Sequence, residues 1–422
     1  MPAPPPGLSG LPLWKGTVRR RAALPEVVMS LSLVRRSLLL TACATAAGLA
    51  LSGTAVAAPL QVEPVDLPAP RVPTYAADVN AAGIVVGAAY ATNDEGRSGA
   101  WAARWQNGAL TLLYPPGAME SRATSVNLIG DIGGSAMVDN TTRGFVRRGE
   151  TLVTVHPPGA VRSTVIDLNE RRDALVSWVD SDQATGTRLS LWRNGTFTEI
   201  TPPGEEVAPA LDANQVAYLN TVGQVAAVFR PVGSTGPGEA RLWQAGRFTT
   251  ITRTPARLQA LSELGHVVGS LTGQTGNFIA FSWQRGRLTR LPSGTSGVGY
   301  AVNERGQVAG EITTADNVIH AALWTGGRLT DLGTLGGQYS TARAIDNLGR
   351  VAGTSQTGTP AQPGYVHPFV WQQGTFTDLT PDEVRRTEAH LLTDTGFVVG
   401  SRITFSKPVT VSVAVAWRVS TP

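Results

Sequence analysis

The chain has 422 residues, of which 42% are hydrophobic and 16% are charged, with 47 Gly and 28 Pro. Enough apolar residues are present to form packed cores, so the composition excludes a disordered chain, and the many Gly and Pro residues indicate frequent turns. The formal net charge is +4, but residues 1–57 hold six of the 35 basic and only one of the 31 acidic side chains. The remaining chain, with 29 basic and 30 acidic side chains, has no general electrostatic attraction to nucleic acid or to an anionic membrane.

The first segment in chain order is a leader. Residues 29–57 are typical of a secretory signal peptide: Arg35-Arg36 precedes an uncharged run that ends at a small-residue cleavage site, with cleavage expected after Ala57. Residues 1–28 do not resemble an export signal, so we interpret them as a non-native extension before a start at Met29. Three alternatives remain open: a twin-arginine export route, a lipoprotein attached at Cys43, and an uncleaved membrane anchor.

These features predict a secreted or cell-surface protein with no membrane span after signal cleavage. The only cysteine, Cys43, lies in the leader, so the mature chain is predicted to contain neither a disulfide nor a thiol nucleophile. We expect a monomer that is stabilised by packing alone.

Residues 58–422 contain an internal repeat. Segments such as AVNERGQVAG (301–310) and AIDNLGRVAG (344–353) align on one polar position, called here the anchor. The spacing between consecutive anchors is 41 to 51 residues, close to the length of one four-stranded propeller blade. Gly follows three residues after the anchor in every repeat except the third, which has Arg172. The eight anchors are Asn80, Asn127, Asn169, Asn220, Ser262, Asn303, Asp346 and Thr393.

A second landmark follows each anchor by about half a repeat. It is a tryptophan in seven repeats, whereas the second repeat is expected to have Val146 at the equivalent place. Tryptophan is wide enough to pack against several neighbouring strands, so we expect it to fill the space between adjacent blades. The seven residues are Trp105, Trp192, Trp243, Trp283, Trp324, Trp371 and Trp417.

Each landmark is typical of a β-hairpin, so each repeat predicts four strands, called first to fourth. One such sheet cannot bury both of its faces, so the repeats must stack. We predict an all-β chain that forms a single β-propeller of about eight four-stranded blades, with seven blades as the alternative. Residues 60–67 resemble a fourth strand and are expected to complete the last blade, closing the ring. A β-solenoid or a sandwich is the competing fold.

The repeats resemble a known family. His320-Ala321-Ala322-Leu323-Trp324 and His367-Pro368-Phe369-Val370-Trp371 are similar to the His-Ala-Phe signature of bacterial HAF-repeat extracellular proteins, and residues 331–337 resemble the same consensus. The second to fourth repeats lack this His. The resemblance implies an extracellular repeat protein and carries over no reaction or catalytic residue.

The length of the connections indicates where a binding site would lie. The turns after the anchor and after the tryptophan are short and fall at one end of each blade, the tight-turn end. The opposite, loop-bearing end is expected to carry the segments that vary in length, since such loops on a rigid scaffold commonly form binding faces. These segments are residues 91–100, 179–188, 231–239, 354–366 and 401–412.

The sequence favours a binding module over an enzyme. The predicted partner is an extracellular ligand, such as a glycan or a cell-surface component, bound at the loop-bearing end and the mouth of the central channel. The alternative is a propeller glycosidase or lyase acting on an extracellular polysaccharide. That alternative needs convergent carboxylates, or a group of His, Tyr and Arg side chains, at the channel mouth.

His320 and His367 are the candidate binding residues. Both lie four residues before a tryptophan, and a repeated strand position favours a structural role for them. No metal-ligand spacing occurs, and Asp180-Ser181-Asp182 is interpreted as a solvated turn rather than a calcium loop. No cofactor, metal site or catalytic residue is predicted.

Overall fold

The computed structural model describes residues 60–180, 186–209, 216–359, 362–382, 386–406 and 409–421. Within these ranges the chain forms 33 strands and no helix, so the predicted all-β class is confirmed. No described segment is a helix long and apolar enough to cross a membrane. The predicted leader, with its Met29 start, its cleavage site and Cys43, lies outside the described residues.

The strands fall into eight consecutive units that match the sequence repeats. Unit 1 comprises β2 (Thr74–Val79), β3 (Val85–Thr92), β4 (Ser98–Gln106) and β5 (Ala109–Leu113), and unit 2 comprises β6 (Ala118–Val126), β7 (Ile132–Val138), β8 (Thr141–Arg148) and β9 (Thr151–Val155). Unit 3 comprises β10 (Arg162–Leu168), β11 (Ala174–Val179), β12 (Arg188–Arg193) and β13 (Thr196–Glu199), and unit 4 comprises β14 (Glu205–Val207), β15 (Ala217–Leu219), β16 (Val225–Pro231), β17 (Glu239–Gln244) and β18 (Arg247–Thr252). Unit 5 comprises β19 (Ala256–Leu261), β20 (Val267–Thr272), β21 (Phe278–Gln284) and β22 (Arg287–Arg290), and unit 6 comprises β23 (Ser296–Val302), β24 (Val308–Thr313), β25 (Ile319–Thr325) and β26 (Arg328–Gly333). Unit 7 comprises β27 (Gly336–Ile345), β28 (Val351–Thr359), β29 (Gln362–Gln372) and β30 (Thr375–Asp378), and unit 8 comprises β31 (Arg386–Leu392), β32 (Phe397–Ser406), β33 (Val409–Ser420) and the N-terminal β1 (Gln61–Val65).

Each unit is an antiparallel sheet in which consecutive strands pair, and in unit 4 the first strand is divided between β14 and β15. A single parallel bridge, Ile319 to Tyr339, also joins units 6 and 7. The first strand of each unit packs against the preceding unit, and first strands of consecutive units adjoin one another. The first strands therefore surround the central axis. The chain is a β-propeller, as predicted.

The N-terminal strand closes the ring. Strand β1 pairs with β33 from Gln61 opposite Ser420 to Val65 opposite Ala416. Unit 1 also packs directly on unit 8, where the Ala414 amide donates to Thr74 Oγ1 at 2.9 Å. The edge of β33 is thus covered by the strand that the sequence analysis assigned to it.

The tryptophans lie between units. Trp324 of unit 6 packs against Val268 and Ala280 of unit 5, and Trp417 of unit 8 packs against Ala352 of unit 7. The tryptophans of units 1, 3, 4, 5 and 7 likewise lie in clusters shared with the preceding unit. All are buried except the partly buried residue of unit 7. The predicted role of tryptophan as a filler between neighbouring sheets is confirmed.

The assignment of Val146 to the tryptophan position is wrong by one residue. Each tryptophan pairs with the residue five positions after its anchor, and in unit 2 that residue, Ile132, pairs with Arg147. Unit 2 has Gly149 in the first position of its turn, where unit 1 has Asn107, so aligning the glycines shifted the comparison. Phe145, which is 2% exposed, fills the interface with unit 1 instead.

Two of the predicted variable loops are largely strand. Residues 354–359 and 362–366 form the outer parts of β28 and β29, which stay paired to Thr359 opposite Gln362. Residues 401–406 and 409–412 belong to β32 and β33, which stay paired to Ser406 opposite Val409. Units 7 and 8 therefore carry long hairpins at the loop-bearing end. The Thr and Val residues of these segments have high β-propensity, which favours continued pairing.

The anchors hydrogen-bond from one unit to the next at the tight-turn end. The side-chain amide of Asn80 donates to the carbonyl of Asn127 at 2.9 Å, and Asn127 donates to the carbonyl of Asn169 at 3.2 Å. Asn169, Asn220 and Asn303 repeat this contact with the next anchor. Each of these Asn side chains also accepts a hydrogen bond within its own turn. This chain of amides fixes the inner rim of the ring.

Candidate functional site

A repeated irregularity of the first strand builds the candidate site. In seven units the first strand carries a one-residue bulge three positions before the anchor. A bulge changes the direction in which a side chain points relative to the sheet. Because the first strands surround the axis, the bulge residues line the channel. The bulge residues are Ala77, Thr124, Ile166, Gln259, Tyr300, Arg343 and His390.

Three consecutive units place polar functional groups at this position. Tyr300, Arg343 and His390 are all partly exposed, and Glu311, Tyr339 and Glu388 interact with them. We call these six residues of units 6, 7 and 8 the axial cluster. Side chains that line a concave wall are expected to be partly exposed and yet to lose much of their hydration.

Arg343 lies at the centre of the axial cluster. Its guanidinium carbon is 4.1 Å from the centroid of the Tyr300 ring, within cation–π distance. The hydroxyl of Tyr339 and the carboxylates of Glu311 and Glu388 act on it electrostatically. Among the described residues no carboxylate comes within salt-bridge distance of this guanidinium. Arg343 therefore presents a positive charge to the channel that is not neutralised by direct pairing.

The two tyrosines of the cluster are held as phenols. Burial raises the pKa of Tyr300 far above its usual value; the charge of Arg343 opposes this shift, and the charge of Glu311 adds to it. Burial likewise raises the pKa of Tyr339, although the nearby Arg343 opposes this shift. At neutral pH both side chains are hydrogen-bond donors, and neither can serve as a phenolate base.

His390 is held neutral. Burial lowers its pKa below the usual value, the positive charges of Arg343 and Arg386 act in the same direction, and Glu388 opposes them. Its Nε2 atom lies 3.0 Å from Ser401 Oγ and 3.8 Å from Glu388 Oε2. A neutral ring that keeps its proton on Nε2 has these oxygens as acceptors, so Nδ1 carries the lone pair.

The axial cluster lies towards the loop-bearing end of the ring. Glu388 lies five residues before its anchor, and Tyr339 lies seven residues before its anchor. Glu311, on the second strand of unit 6, is opposite Val298, which also lies five residues before its anchor. First strands run from the loop-bearing end to the anchor turn, so these residues lie on the loop side of the bulge. The long hairpins of units 7 and 8 project from the same end of the same units.

The predicted site residues His320 and His367 lie elsewhere. Both are on third strands, away from the axis, and each contacts an aspartate on the neighbouring fourth strand. His320 Nδ1 is 2.9 Å from Asp331 Oδ1, and His367 Nδ1 is 2.8 Å from Asp378 Oδ2. In unit 3 the same two positions hold the pair Arg188 and Glu199. The structure does not bring the two histidines together, and it gives both the environment of a cross-strand pair.

The remaining histidines, His156 and His266, lie apart from the axial cluster. His156 contacts Ser163 Oγ and the carbonyl of Ala160, each at 2.8 Å, and so fixes the turn between units 2 and 3. His266 is buried beneath Gly306 of the next unit. Of Asp180-Ser181-Asp182 only Asp180 is described. No group of three potential metal ligands occurs within the described ranges.

A separate cavity of about 310 Å³ lies between units 4 and 5 at the loop-bearing end. Its wall includes Tyr218, Arg230, Arg257 and Gln259. Arg230 is already paired with Glu206 at 2.7 Å, and Tyr218 donates to the carbonyl of Leu258 at 3.0 Å. Most of its polar groups thus have partners, in contrast to Arg343.

Comparison with known proteins concerns the fold. No protein-family model and no curated protein matches the chain. An acylaminoacyl peptidase in complex with Z-Gly-Gly-Phe-chloromethyl ketone is 10% identical with a TM-score of 0.44, and the match covers 79% of this chain and 58% of that one. The β-propeller domain of the Trilobed protease from Pyrococcus furiosus is 11% identical with a TM-score of 0.44, covering 73% and 98%. TolB from Acinetobacter baumannii is 11% identical with a TM-score of 0.32, covering 55% and 57%. The chain spans little more than half the length of the acylaminoacyl peptidase. At such low sequence identity, the similarity extends to the fold alone.

Sequence reasoning missed the axial cluster, although a signal for it is present. Aligned on the anchor, the residue three positions earlier is small, aliphatic or uncharged in units 1 to 5 and becomes Tyr300, Arg343 and His390 in units 6 to 8. A core position would keep one character in all repeats. A change to three polar functional residues in consecutive units indicates a site.

Proposed function

We propose that all eight units are blades of one closed ring. Seven sheets, one of which is eight-stranded and comprises units 6 and 7, together with the contact between units 8 and 1 and the β1–β33 ladder, support this number. In such a ring the first strands of units 6, 7 and 8 form about three eighths of the channel wall. The axial cluster then occupies one side of the channel.

We propose that the protein is a secreted binding module, similar to HAF-repeat extracellular proteins, that takes an extracellular glycan at its loop-bearing end. The signal-like leader and the His-Ala-Phe segments support secretion and the family. The ligand would lie over the axial cluster, beside the hairpins of units 7 and 8.

The observation that carries this proposal is the Arg343 guanidinium, which is partly exposed, stacks on Tyr300 and has no carboxylate in contact among the described residues. Such a group favours a carboxylate-bearing ligand, since a charge-assisted pair is strongest where water is largely excluded. Glu311 and Glu388 are acceptors for sugar hydroxyls, and the tyrosines are donors. This mixture fits an acidic, polyhydroxylated chain better than an apolar ligand.

A direct binding test uses the chain from residue 58 onwards, titrated calorimetrically with acidic and neutral polysaccharides. We expect binding to an acidic polysaccharide and at least tenfold weaker binding by Arg343→Ala, because charged hydrogen bonds contribute about 1.5–3 kcal/mol. Arg328→Ala, which removes an exposed arginine from the outer strand of unit 6, is the matched control and should bind normally. Equal affinity of both variants, or no binding to any acidic polysaccharide, would contradict the proposal.

The alternative function is an enzyme that acts on the same class of polymer. It is favoured by one specific observation: His390, whose Nε2 lies 3.0 Å from Ser401 Oγ, occupies the bulge position of the first strand next to the strand that carries Arg343.

A further inference from the structure

We propose that the axial cluster is the catalytic site of a lyase that cleaves uronate-containing polysaccharides by β-elimination. This inference rests on the proposed function, because it assigns a reaction to the same glycan site. It names Arg343 as the carboxylate-binding residue, His390 as the base and Tyr339 as the proton donor.

The reaction needs a positive group at the substrate carboxylate. Removing the proton from C5 of a uronate places negative charge on the adjacent carboxylate, so a cation at that carboxylate stabilises the transition state. Arg343 supplies a guanidinium that stacks on the Tyr300 ring, 4.1 Å from its centroid. Since no described carboxylate is in salt-bridge contact with it, substrate does not have to displace an ion pair.

The reaction also needs a base that is unprotonated near neutral pH. His390 meets this requirement through its burial and through the charges of Arg343 and Arg386. Its Nε2 faces Ser401 and Glu388, which orients the ring and leaves Nδ1 to accept the C5 proton. Glu388 then stabilises the imidazolium that forms.

The leaving oxygen must receive a proton. Tyr339 lies on β27, four residues before Arg343, and burial raises its pKa, so it stays protonated and its hydroxyl can donate to O4. In the complete step the C5–H proton passes to His390, the electron pair of that bond forms the C4=C5 double bond, the C4–O4 bond breaks, and O4 takes the Tyr339 proton. The imidazolium returns its proton to the phenolate through water, so neither an oxidant nor a reductant is required.

The carboxylates of the cluster are less suited to hydrolysis. Hydrolysis of a glycosidic bond requires one carboxyl group as an acid and a second as a nucleophile or base. Glu388 already accepts a hydrogen bond from Arg386 Nε at 2.6 Å, and Glu311 lies on β24 of unit 6, which does not adjoin unit 8 along the ring, so the two carboxylates are not an adjacent pair. The geometry points to elimination.

The test incubates the chain from residue 58 with polyuronates and follows the ultraviolet absorbance of the new double bond conjugated with the carboxylate. We expect the product with the wild type, and a fall in kcat of about 10²–10⁴-fold for His390→Gln with binding retained. Arg343→Lys should weaken binding as well as kcat, since lysine cannot make the bidentate contact. Arg328→Ala should match the wild type.

The pH profile supplies a readout that a purely structural histidine would not move. The groups that face His390 are Glu388, Arg343, Arg386 and Ser401. Because its pKa is lowered, kcat/KM should stay constant as the pH falls through about 6.5 and decline only below it. Binding of a polyuronate without formation of the unsaturated product would overturn the lyase and leave the binding module standing, whereas absence of binding would overturn both.

Discussion

Replacing one inter-unit tryptophan tests the packing of the ring. Trp324 is 1% exposed and lies between units 5 and 6, where its indole N–H donates to the carbonyl of Pro292 at 2.6 Å. Truncating a fully buried Trp to Ala costs about 3–5 kcal/mol, since the cavity it leaves collapses only in part. Losing the hydrogen bond adds about 1 kcal/mol. We therefore expect Trp324→Ala to lower the free energy of unfolding by about 4–6 kcal/mol.

The chain offers a matched control at the same repeat position. Trp371 of unit 7 is only partly buried, so Trp371→Ala removes the same atoms from a site that is already in contact with water. We expect it to cost at least ~1.5 kcal/mol less than Trp324→Ala, because less apolar area is returned to solvent.

The assay is equilibrium unfolding in urea, followed by circular dichroism so that the signal does not depend on the indole removed. If the unfolding free energy falls with urea concentration at a similar slope in the two variants and the wild type, the midpoints of their unfolding transitions can be compared. The reasoning is refuted if Trp324→Ala costs no more than Trp371→Ala, or if both cost less than about 1 kcal/mol.

Two further predictions concern the rim and the closure of the ring. Asn169→Ala removes the donor to Asn220 and the acceptor for the Asp173 amide, and should cost about 2–3 kcal/mol in thermal unfolding; Asn169→Ser, which mimics Ser262 of unit 5, should cost less, and the reverse order would contradict the rim contacts. A chain that starts at residue 68 lacks β1 and exposes the edge of β33, so it should melt at a lower temperature and aggregate more, by light scattering, than a chain that starts at residue 58. Identical behaviour of the two chains would show that the ladder does not stabilise the ring.

The repeat made the architecture predictable. The anchor glycines mark turns that need a left-handed backbone, and even Arg172, the exception, adopts φ of 64° and pairs with Asp131 of the preceding unit. Strand order followed from alternation and turn spacing, and the assignment of residues 60–67 followed from an unpaired last unit. These local signals recur in the repeats. A repeat whose sequence is degenerate can therefore be recognised by comparison with the others.

The details that failed depend on pairing between strands. The tryptophan position of unit 2 moved from Val146 to Arg147 because the register, rather than the glycine, defines equivalence. The hairpins of units 7 and 8 were predicted as loops, because the sequence of one strand does not show over what length it pairs with the next. The anchor amides were recognisable as landmarks, but their contacts run between units and needed coordinates.

The candidate site was hidden for a different reason. His320 and His367 were candidate binding residues that recur at one repeat position. A residue that recurs in a repeat protein usually has a structural role. Tyr300, Arg343 and His390 share a position without sharing chemistry, and only the bulge and the inner placement of the first strands bring them to one wall. The residues of a functional site in a repeat protein depart from the repeat consensus. A search for residues that follow the consensus therefore did not find the axial cluster.

The pairing of β1 with β33 sets an order for folding. Residues 61–65 find their partner only after residues 416–420 have been made, so the first strand synthesised is among the last to be docked. Closing so long a loop in an unfolded chain would be slow. Once the intervening units have stacked, however, the two ends already lie side by side, and the final step becomes the zippering of five residues. The open edge of the last sheet is vulnerable to other chains only during that short interval.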